Sequence, residues 1–387
     1  MIGVLGASGS VGQVAVAHLH RLGVGPLRLA ARHVEPVRRV AAGLPGADVD
    51  TVEVDLRDPA ALAAFCAGTS LVVNCAGPTY ELKETVAAAA LAAGAHCVDV
   101  AGDDPVHEAL TGDVPGGDVP GGRACGGGRT VVLSAGTLPG LSSLLPRWLA
   151  STEFDGVDTL TAWVGGVEHC SPVVAVDMML SLRSGGAAGA AYGEANAAWR
   201  GGAARSRALR PAEDATVPQF AGSVAVQPFL SAETRRLARA LRLRDVDWLN
   251  VYPGPQVRTL LAALPAAASV GADEADLARR MIRAAELDLA GRSPYYQMVF
   301  TMGGTRGGVP VERTAVLRVT SSYRLTGLVG ALAAVAVLGG DVPPGVHFAA
   351  DVLDPAATVA ALRGSGEPLT VRLVDGDTAD DTEEGTL

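Results

Sequence analysis

The chain of 387 residues is short of aromatics, at 4 % of positions, and short of positive charge, with 31 Lys and Arg against 41 Asp and Glu. A net charge of −10 with no basic stripe excludes a non-specific nucleic-acid binder. The five cysteines, Cys66, Cys75, Cys97, Cys125 and Cys170, never stand as C-x-x-C. Their scatter argues against a zinc site or a disulfide framework and for the reduced thiols of the cytoplasm. One apolar run, Leu325 to Leu338, falls short of the roughly 20 residues that span a bilayer, so it reads as a buried helix rather than a membrane segment. A strand opens the chain at once, so no signal peptide is expected. No convincing Tyr-x-x-x-Lys or Ser-x-x-x-Lys dyad is present, which disfavours a short-chain dehydrogenase mechanism; Tyr80-Glu-Leu-Lys83 has the pair at the wrong spacing.

What is present begins at residue 2. Ile2–Leu5 is an apolar strand that runs into Gly6-Ala-Ser-Gly-Ser-Val-Gly12, and an amphipathic stretch, Val14–Leu22, follows. Strand, tight glycine turn and helix N-terminus, in this order, make a pyrophosphate site. The turn lets backbone N–H groups approach the phosphates, and the helix adds its positive dipole end. Gly6, Ser8, Gly9, Ser10, Val11 and Gly12 are the expected cofactor contacts.

Strand and helix signals then alternate. Strands are expected at Leu27–Ala31, Val49–Val54, Leu71–Cys75, Cys97–Val100 and Val131–Ser134. Helices are expected at Val34–Ala42, Pro59–Ala67, Leu82–Ala93 and Leu141–Ala150. Helices of this length between strands mean right-handed crossovers and a parallel sheet. Two Val-Pro-Gly-Gly copies, starting at Val114 and Val119, form a surface loop without assigned chemistry. Beyond Asp155 the pattern changes to strands at Leu160–Gly165, Ser223–Val226, Leu249–Val251 and Val311–Val319, with helices at Ala175–Leu182, Ala232–Arg242 and Glu274–Leu289. The expected architecture is α/β: a doubly wound dinucleotide-binding domain over 1–150 and an α+β substrate and dimerisation domain, its sheet mixed or antiparallel, over 151–325. Residues 326–374 then return to the first domain, and an acidic, disordered tail covers 375–387.

An NAD site normally carries an acid at the end of strand 2 to hold the ribose 2′-OH. Here that place reads Ala30-Ala31-Arg32-His33. Arg32 can pair with a 2′-phosphate, so NADP(H) is favoured over NAD(H). The alternative gives the ribose to Glu35 and makes Arg32 a surface residue. Asp55 is a candidate for the adenine amine, with helix capping as its other role. Cys75-Ala76-Gly77-Pro78, at the end of strand 4, is placed to line the nicotinamide.

Several segments together resemble the saccharopine dehydrogenase or reductase family. They are Gly6 to Gly12, Ala31-Arg32, Val73-Asn-Cys-Ala-Gly-Pro78, Gly94-Ala-His-Cys-Val-Asp-Val-Ala-Gly-Asp103 and Gly136-Thr-Leu-Pro-Gly-Leu-Ser142. Weaker likeness continues through Ser231 to Arg235, Tyr323 to Gly327 and Gly345 to Pro355. The resemblance implies a Rossmann domain, a second α/β domain that closes over substrate, and NAD(P)-linked chemistry at a C–N bond, typically an imine built from an amino acid and a carbonyl compound. Position 103 is Asp where the family's segment commonly ends in Gly-Glu, which leaves the substrate open.

A proton donor or acceptor near the hydride path is the remaining requirement. Asp103, beyond strand 5, is the first candidate, with an N-cap before Pro105 as its other role. Tyr80 at the mouth and His169, in Glu168-His-Cys-Ser-Pro172, are the others, each with a packing or turn alternative. His96 and His107 flank strand 5 and read as structural. Asp177, Tyr252 and Arg324 are candidates for a substrate amine or carboxylate. A carbonyl or enoyl reductase on the same fold and a non-catalytic NADP sensor are the competing functions. The expected partners are a small-molecule substrate and a second copy of the chain, in the cytoplasm, with neither nucleic acid nor membrane.

Overall fold

The structure, a computed structural model, describes residues 1–112, 128–176, 192–269 and 273–374, without the side chains of residues 80, 264–269 and 274. The repeat loop, the acidic tail and Asp177 lie outside the described residues, as does most of the helix expected at Ala175–Leu182. The chain divides into two compact units, residues 1–144 with 322–365, and residues 145–321 with those from 366 on.

The first unit is a seven-stranded sheet in which each pairing is parallel. Its strands are β1 (Ile2–Leu5), β2 (Leu27–Ala31), β3 (Val49–Glu53), β4 (Leu71–Asn74), β5 (His96–Asp99), β6 (Thr130–Leu133) and β16 (Gly345–Phe348). They run in the order β16-β6-β5-β4-β1-β2-β3. β1, β4 and β6 are buried along their whole length, as helix cover on both faces demands. The order reverses at β1, which pairs with β2 on one side and β4 on the other, and Leu5 stands between Ala30 and Asn74. A crevice at such a switch point is where this architecture binds ligands.

Local chemistry sets the helix ends. α1 (Ser10–Arg21) turns Gly12, Ala15, Val16 and Leu19 inward. α3 (Pro59–Cys66) starts at Asp58, whose carboxylate accepts from Ala60 N and Ala61 N, with Pro59 behind it. The helix expected over Leu82–Ala93 is in fact two, α4 (Thr79–Leu82) and α5 (Thr85–Ala92), interrupted by Lys83 in the left-handed region at φ 46°. After α5, Gly94 at φ 73° closes the helix, and Ala95 N donates to Ala90 O.

The apolar run belongs to a helix, Ser322–Gly339, that meets the length and apolarity of a membrane span by composition. Leu325, Leu328, Val329, Ala333 and Val337 are buried in the first unit. Its glycines make the packing close. A Cβ on Gly327 would lie 2.7 Å from Val11 O and from Val14 Cβ of α1, and one on Gly330 would lie 2.7 Å from Val100 Cγ1.

The second unit is built on a ten-stranded mixed sheet. Its spine is β7 (Gly156–Val167), parallel to β13 (Asp245–Tyr252) and antiparallel to β14 (Tyr295–Arg306), which hairpins into β15 (Val309–Val319). β14 is central and was not expected from the sequence. The helix Pro255–Ser269 was not expected either. The last strand, β17 (Leu369–Val374), pairs with β15 and so joins this sheet.

Candidate functional site

The glycine turn is built around contacts that only glycine allows. Gly6 has φ 71°, and a Cβ there would lie 2.8 Å from the Cys75 carbonyl and from Ala76 N. The turn therefore lies directly against the end of β4. A Cβ on Gly12 would fall 2.1 Å from Gly6 O. Gly9 N donates to Gly6 O at 2.9 Å, and Gly9 is the N-cap of α1 without any side-chain cap. The first-turn N–H groups at Ser10, Val11 and Gly12 thus keep no capping side chain over them, the arrangement that receives a phosphate. Ser8 O accepts from Gln13 Nε2 at 2.7 Å, which ties the loop to the helix.

Beside the turn, Arg32 follows the last residue of β2, exposed and without a carboxylate partner among the described residues. Glu35 is exposed and pairs with Arg38 on its own helix, so it is engaged away from a ribose role. The nearest acid by register is Glu53, opposite Ala31 on β3, and its Oε2 accepts from Val34 N at 3.3 Å. Sequence reasoning missed Glu53, because only sheet pairing brings it to the end of β2. Asp55 accepts from Arg57 N at 3.0 Å in its own turn, and the helix cap that was its alternative role is made by Asp58.

On the other side of β1, the Cys75–Pro78 segment is held by a buried network. Cys75 N donates to Leu5 O at 3.0 Å. Ala76 N donates to Asn74 Oδ1 at 3.1 Å, while Asn74 Nδ2 donates to Asp99 Oδ2 at 2.8 Å. Asp99 Oδ1 accepts from Ala101 N at 2.9 Å and Gly102 N at 2.8 Å, and Ser134 Oγ donates to Gly102 O at 2.7 Å. The ends of β4, β5 and β6 are thereby joined. Burial pushes the Asp99 carboxyl above its ordinary value, against the lowering effect of its three hydrogen bonds. Burial, with Asp99 added, also pushes the Cys75 thiol up and keeps it neutral.

The catalytic candidates fall as follows. Asp103 is the N-cap of α6 (Asp104–Thr111) and accepts from Val106 N at 3.5 Å, the capping role foreseen for it. Tyr80 lies in α4, its side chain outside the described residues. His169 is exposed just past β7 in the second unit. Arg324 is exposed in the first turn of the helix Ser322–Gly339. His96 accepts from Thr130 N at 3.0 Å, and burial and Arg129 lower its pKa. His107 stacks on Phe348 with ring centroids 5.0 Å apart. Tyr252 closes β13, and burial raises it to about 12. Among the described residues no group of three or more His, Cys, Asp or Glu could hold a metal.

Residues 2–111 match the family model of the saccharopine dehydrogenase NADP binding domain, so this part of the chain is an NADP-binding domain of that kind. Across nearly the whole length the fold is that of the apo saccharopine dehydrogenase (L-Glu forming) from Saccharomyces cerevisiae. The likeness has a TM-score of 0.66 at 15 % identity and covers 96 % of this chain and 99 % of that one. A probable dehydrogenase from Thermotoga maritima aligns over 97 % of this chain and 98 % of its own, at 10 % identity and a TM-score of 0.45. The NADP(H) complex of Citrobacter sp. triphenylmethane reductase aligns over 26 % of this chain and 37 % of its own, at 27 % identity and a TM-score of 0.23.

Proposed function

We propose that this chain is an NADP(H)-dependent oxidoreductase that reduces an imine, or oxidises an amine, of a small amino-acid-like substrate. The observation that carries the reading is the glycine turn seated against the end of β4, within a segment that matches an NADP-binding domain. Gly6 and Gly12 leave no room for side chains where a pyrophosphate approaches, and α1 presents its uncapped N-terminus there. Arg32 supplies a fork of donors for a 2′-phosphate. Asp55 is retained as the adenine contact.

When bound, the nicotinamide supplies or accepts the hydride. The chain's own part is to hold and exclude. Cys75, Ala76, Gly77 and Pro78 form the wall of the site, with Ala76 N fixed by Asn74. Asp103, Tyr80 and His169 remain the candidates for moving the proton. We further propose that the protein works as a homodimer in the cytoplasm; the described cysteines are free thiols, as a reducing compartment requires.

NADPH oxidation over a panel of keto acids paired with amines, aldehydes and enones tests the reaction class. Turnover confined to keto acid plus amine is the expected result. Turnover on aldehydes or enones alone would move the chain to carbonyl or enoyl reduction, and tight NADPH binding without turnover on any class would make it a sensor. Light scattering on the purified protein tests the dimer.

A further inference from the structure

The turn that carries Arg32 is two residues long, Arg32-His33, between the end of β2 at Ala31 and the start of α2 (Val34–Ala42). So short a link takes its direction from whatever fixes its two ends. The near end is fixed by backbone. Ala7 N donates to Ala30 O at 3.0 Å, which ties β2 to the glycine turn. Ala31 stands opposite Glu53 in the parallel register, and Val54 N donates to Ala31 O at 3.0 Å, which ties it to β3.

The far end is not fixed by its own residues. His33 is the N-cap of α2, extended at φ −132° and ψ 123°, and its side chain makes no capping hydrogen bond. Glu35, the acid of the first turn, is exposed and pairs with Arg38. The Val34 N–H belongs to the first turn, where backbone donors have no partner inside the helix. It donates instead to Glu53 Oε2 at 3.3 Å. A carboxylate from a neighbouring strand thus takes the capping place, where it also meets the positive end of the helix. One residue of β3 therefore holds both ends of the Arg32 turn, one through sheet register and the other through its side chain.

Glu53 makes no ion pair with Arg32, although the register brings it to the end of β2. Its carboxylate is engaged by a backbone N–H, so the Arg32 guanidinium keeps its donors for an incoming anion.

We propose that Glu53 is a positioning residue for cofactor choice. By fixing Val34 it fixes the direction in which the two-residue turn presents Arg32 to the 2′-phosphate of NADP(H). This rests on the NADP(H) reading above, in which Arg32 receives that phosphate. Glu53 acts through Arg32 and needs no contact of its own with the cofactor. The link is exposed to water, so its worth is that of an acid at a helix start, roughly 2- to 5-fold in an equilibrium constant.

The test uses the full chain and four variants: Glu53→Ala, Glu53→Gln, Arg32→Ala, and Arg32→Ala combined with Glu53→Ala. NADPH and NADH are titrated by fluorescence, and exchange of the Val34 amide is followed by NMR without cofactor. Glu53→Ala should weaken NADPH by about 3-fold, leave NADH unchanged and speed the Val34 exchange. Glu53→Gln keeps an acceptor oxygen and should recover most of both losses. In the Arg32→Ala background, Glu53→Ala should cost NADPH nothing further, because nothing is left to direct. Equal weakening of both cofactors would make Glu53 only a support of α2 and would overturn the positioning role. So would a further NADPH loss in the double variant, or a loss confined to NADH, the mark of a ribose ligand. The two readings fail apart. Wild type that binds neither cofactor, or both equally, removes the Arg32 reading and this role with it. Wild type that prefers NADPH, with a preference indifferent to Glu53→Ala, removes the role alone.

Discussion

The side-chain amide of Asn74 donates to the Asp99 carboxylate over 2.8 Å while its oxygen accepts from Ala76 N at 3.1 Å. One buried side chain thus connects the carboxyl end of β5 to the backbone proposed to face the nicotinamide. Both residues are at most 3 % exposed, so each hydrogen bond is made without competition from water. The Cys75–Pro78 segment is thus anchored inside the sheet, not on the loop itself. The arrangement also leaves Asp99 a buried carboxyl, and that has a measurable consequence.

Asp99 should make the fold lose stability as pH rises from the ordinary carboxylate range. Its folded pKa is raised, chiefly by burial, so the folded chain holds the proton more tightly than the unfolded one. The stability carried by the neutral form is full below the unfolded value and is lost as pH climbs through the folded value. Within that window the loss reaches about 1.4 kcal/mol per pH unit. Asp99→Asn cannot ionise, so its urea midpoint should be flat where the wild type declines. Urea titrations at half-unit steps from pH 4 upward read this directly. An equal decline in the variant would clear Asp99 as the cause.

The first sheet was legible because β1, β4 and β6 are short apolar runs and β2, β3 and β5 are short strand-length segments, each fenced by helix signals, so β1 to β6 could be read in order from local pattern alone. β14 could not. Its Tyr295-Tyr-Gln-Met-Val-Phe stretch has the residues of a strand, but Gly303-Gly304 reads as a turn; β15 is its hairpin neighbour, yet its central place comes from pairing with β7, more than a hundred residues away in sequence. The same contrast holds in the site. Asp103 could be read as a helix cap because Pro105 stands two residues on, a local signal. The Asn74–Asp99 link joins residues 25 apart, and Glu53 reaches Val34 N across 19, so neither has a local signature. Strand adjacency had to be known first.

Arg32 should decide between the two nicotinamide cofactors. It is exposed at the end of β2, and Glu35 is occupied by Arg38. A charged hydrogen bond to a 2′-phosphate is worth about 1.5–3 kcal/mol, or roughly 10- to 100-fold in affinity. Arg32→Ala should lose that factor for NADPH and leave NADH unchanged, and raising salt should weaken NADPH binding to wild type more than to the variant. Fluorescence titration of both cofactors checks it. Wild type binding both equally would remove the preference.

Gly9 and Gly12 should fail differently when each becomes alanine. Gly9 has an ordinary φ of −76° and its Cβ would be 3.2 Å from Gly6 O, a contact the loop can relieve by a small shift. Gly9→Ala should therefore fold with near wild-type stability and bind NADPH at least about 10-fold more weakly, because the methyl group stands where the phosphate approaches. Gly12→Ala puts carbon 2.1 Å from Gly6 O, so it should damage the fold before any cofactor is added. Thermal melts with and without NADPH separate the two. A Gly9→Ala protein with undiminished NADPH affinity would place the phosphates elsewhere.

Gly327 tests whether the C-terminal return is structural to the cofactor domain. Its helix, Ser322–Gly339, packs on α1, and a Cβ at 327 would lie 2.7 Å from both Val11 O and Val14 Cβ, and 2.8 Å from Ala15 N. Two of those neighbours are backbone atoms and cannot rotate away. The helix must then move off α1, at a cost of about 1–3 kcal/mol by the usual penalty for overpacking. Because α1 carries at its N-terminus the N–H groups proposed to hold the phosphates, a displaced α1 should also lower NADPH affinity, although residue 327 is not among the expected cofactor contacts. Gly327→Ala should show both losses, and Gly364→Ala, where a Cβ meets nothing within 4 Å at the end of a surface helix, should show neither. A Gly327→Ala protein that loses stability but keeps full NADPH affinity would mean that the return helix buries α1 without setting the geometry of the turn.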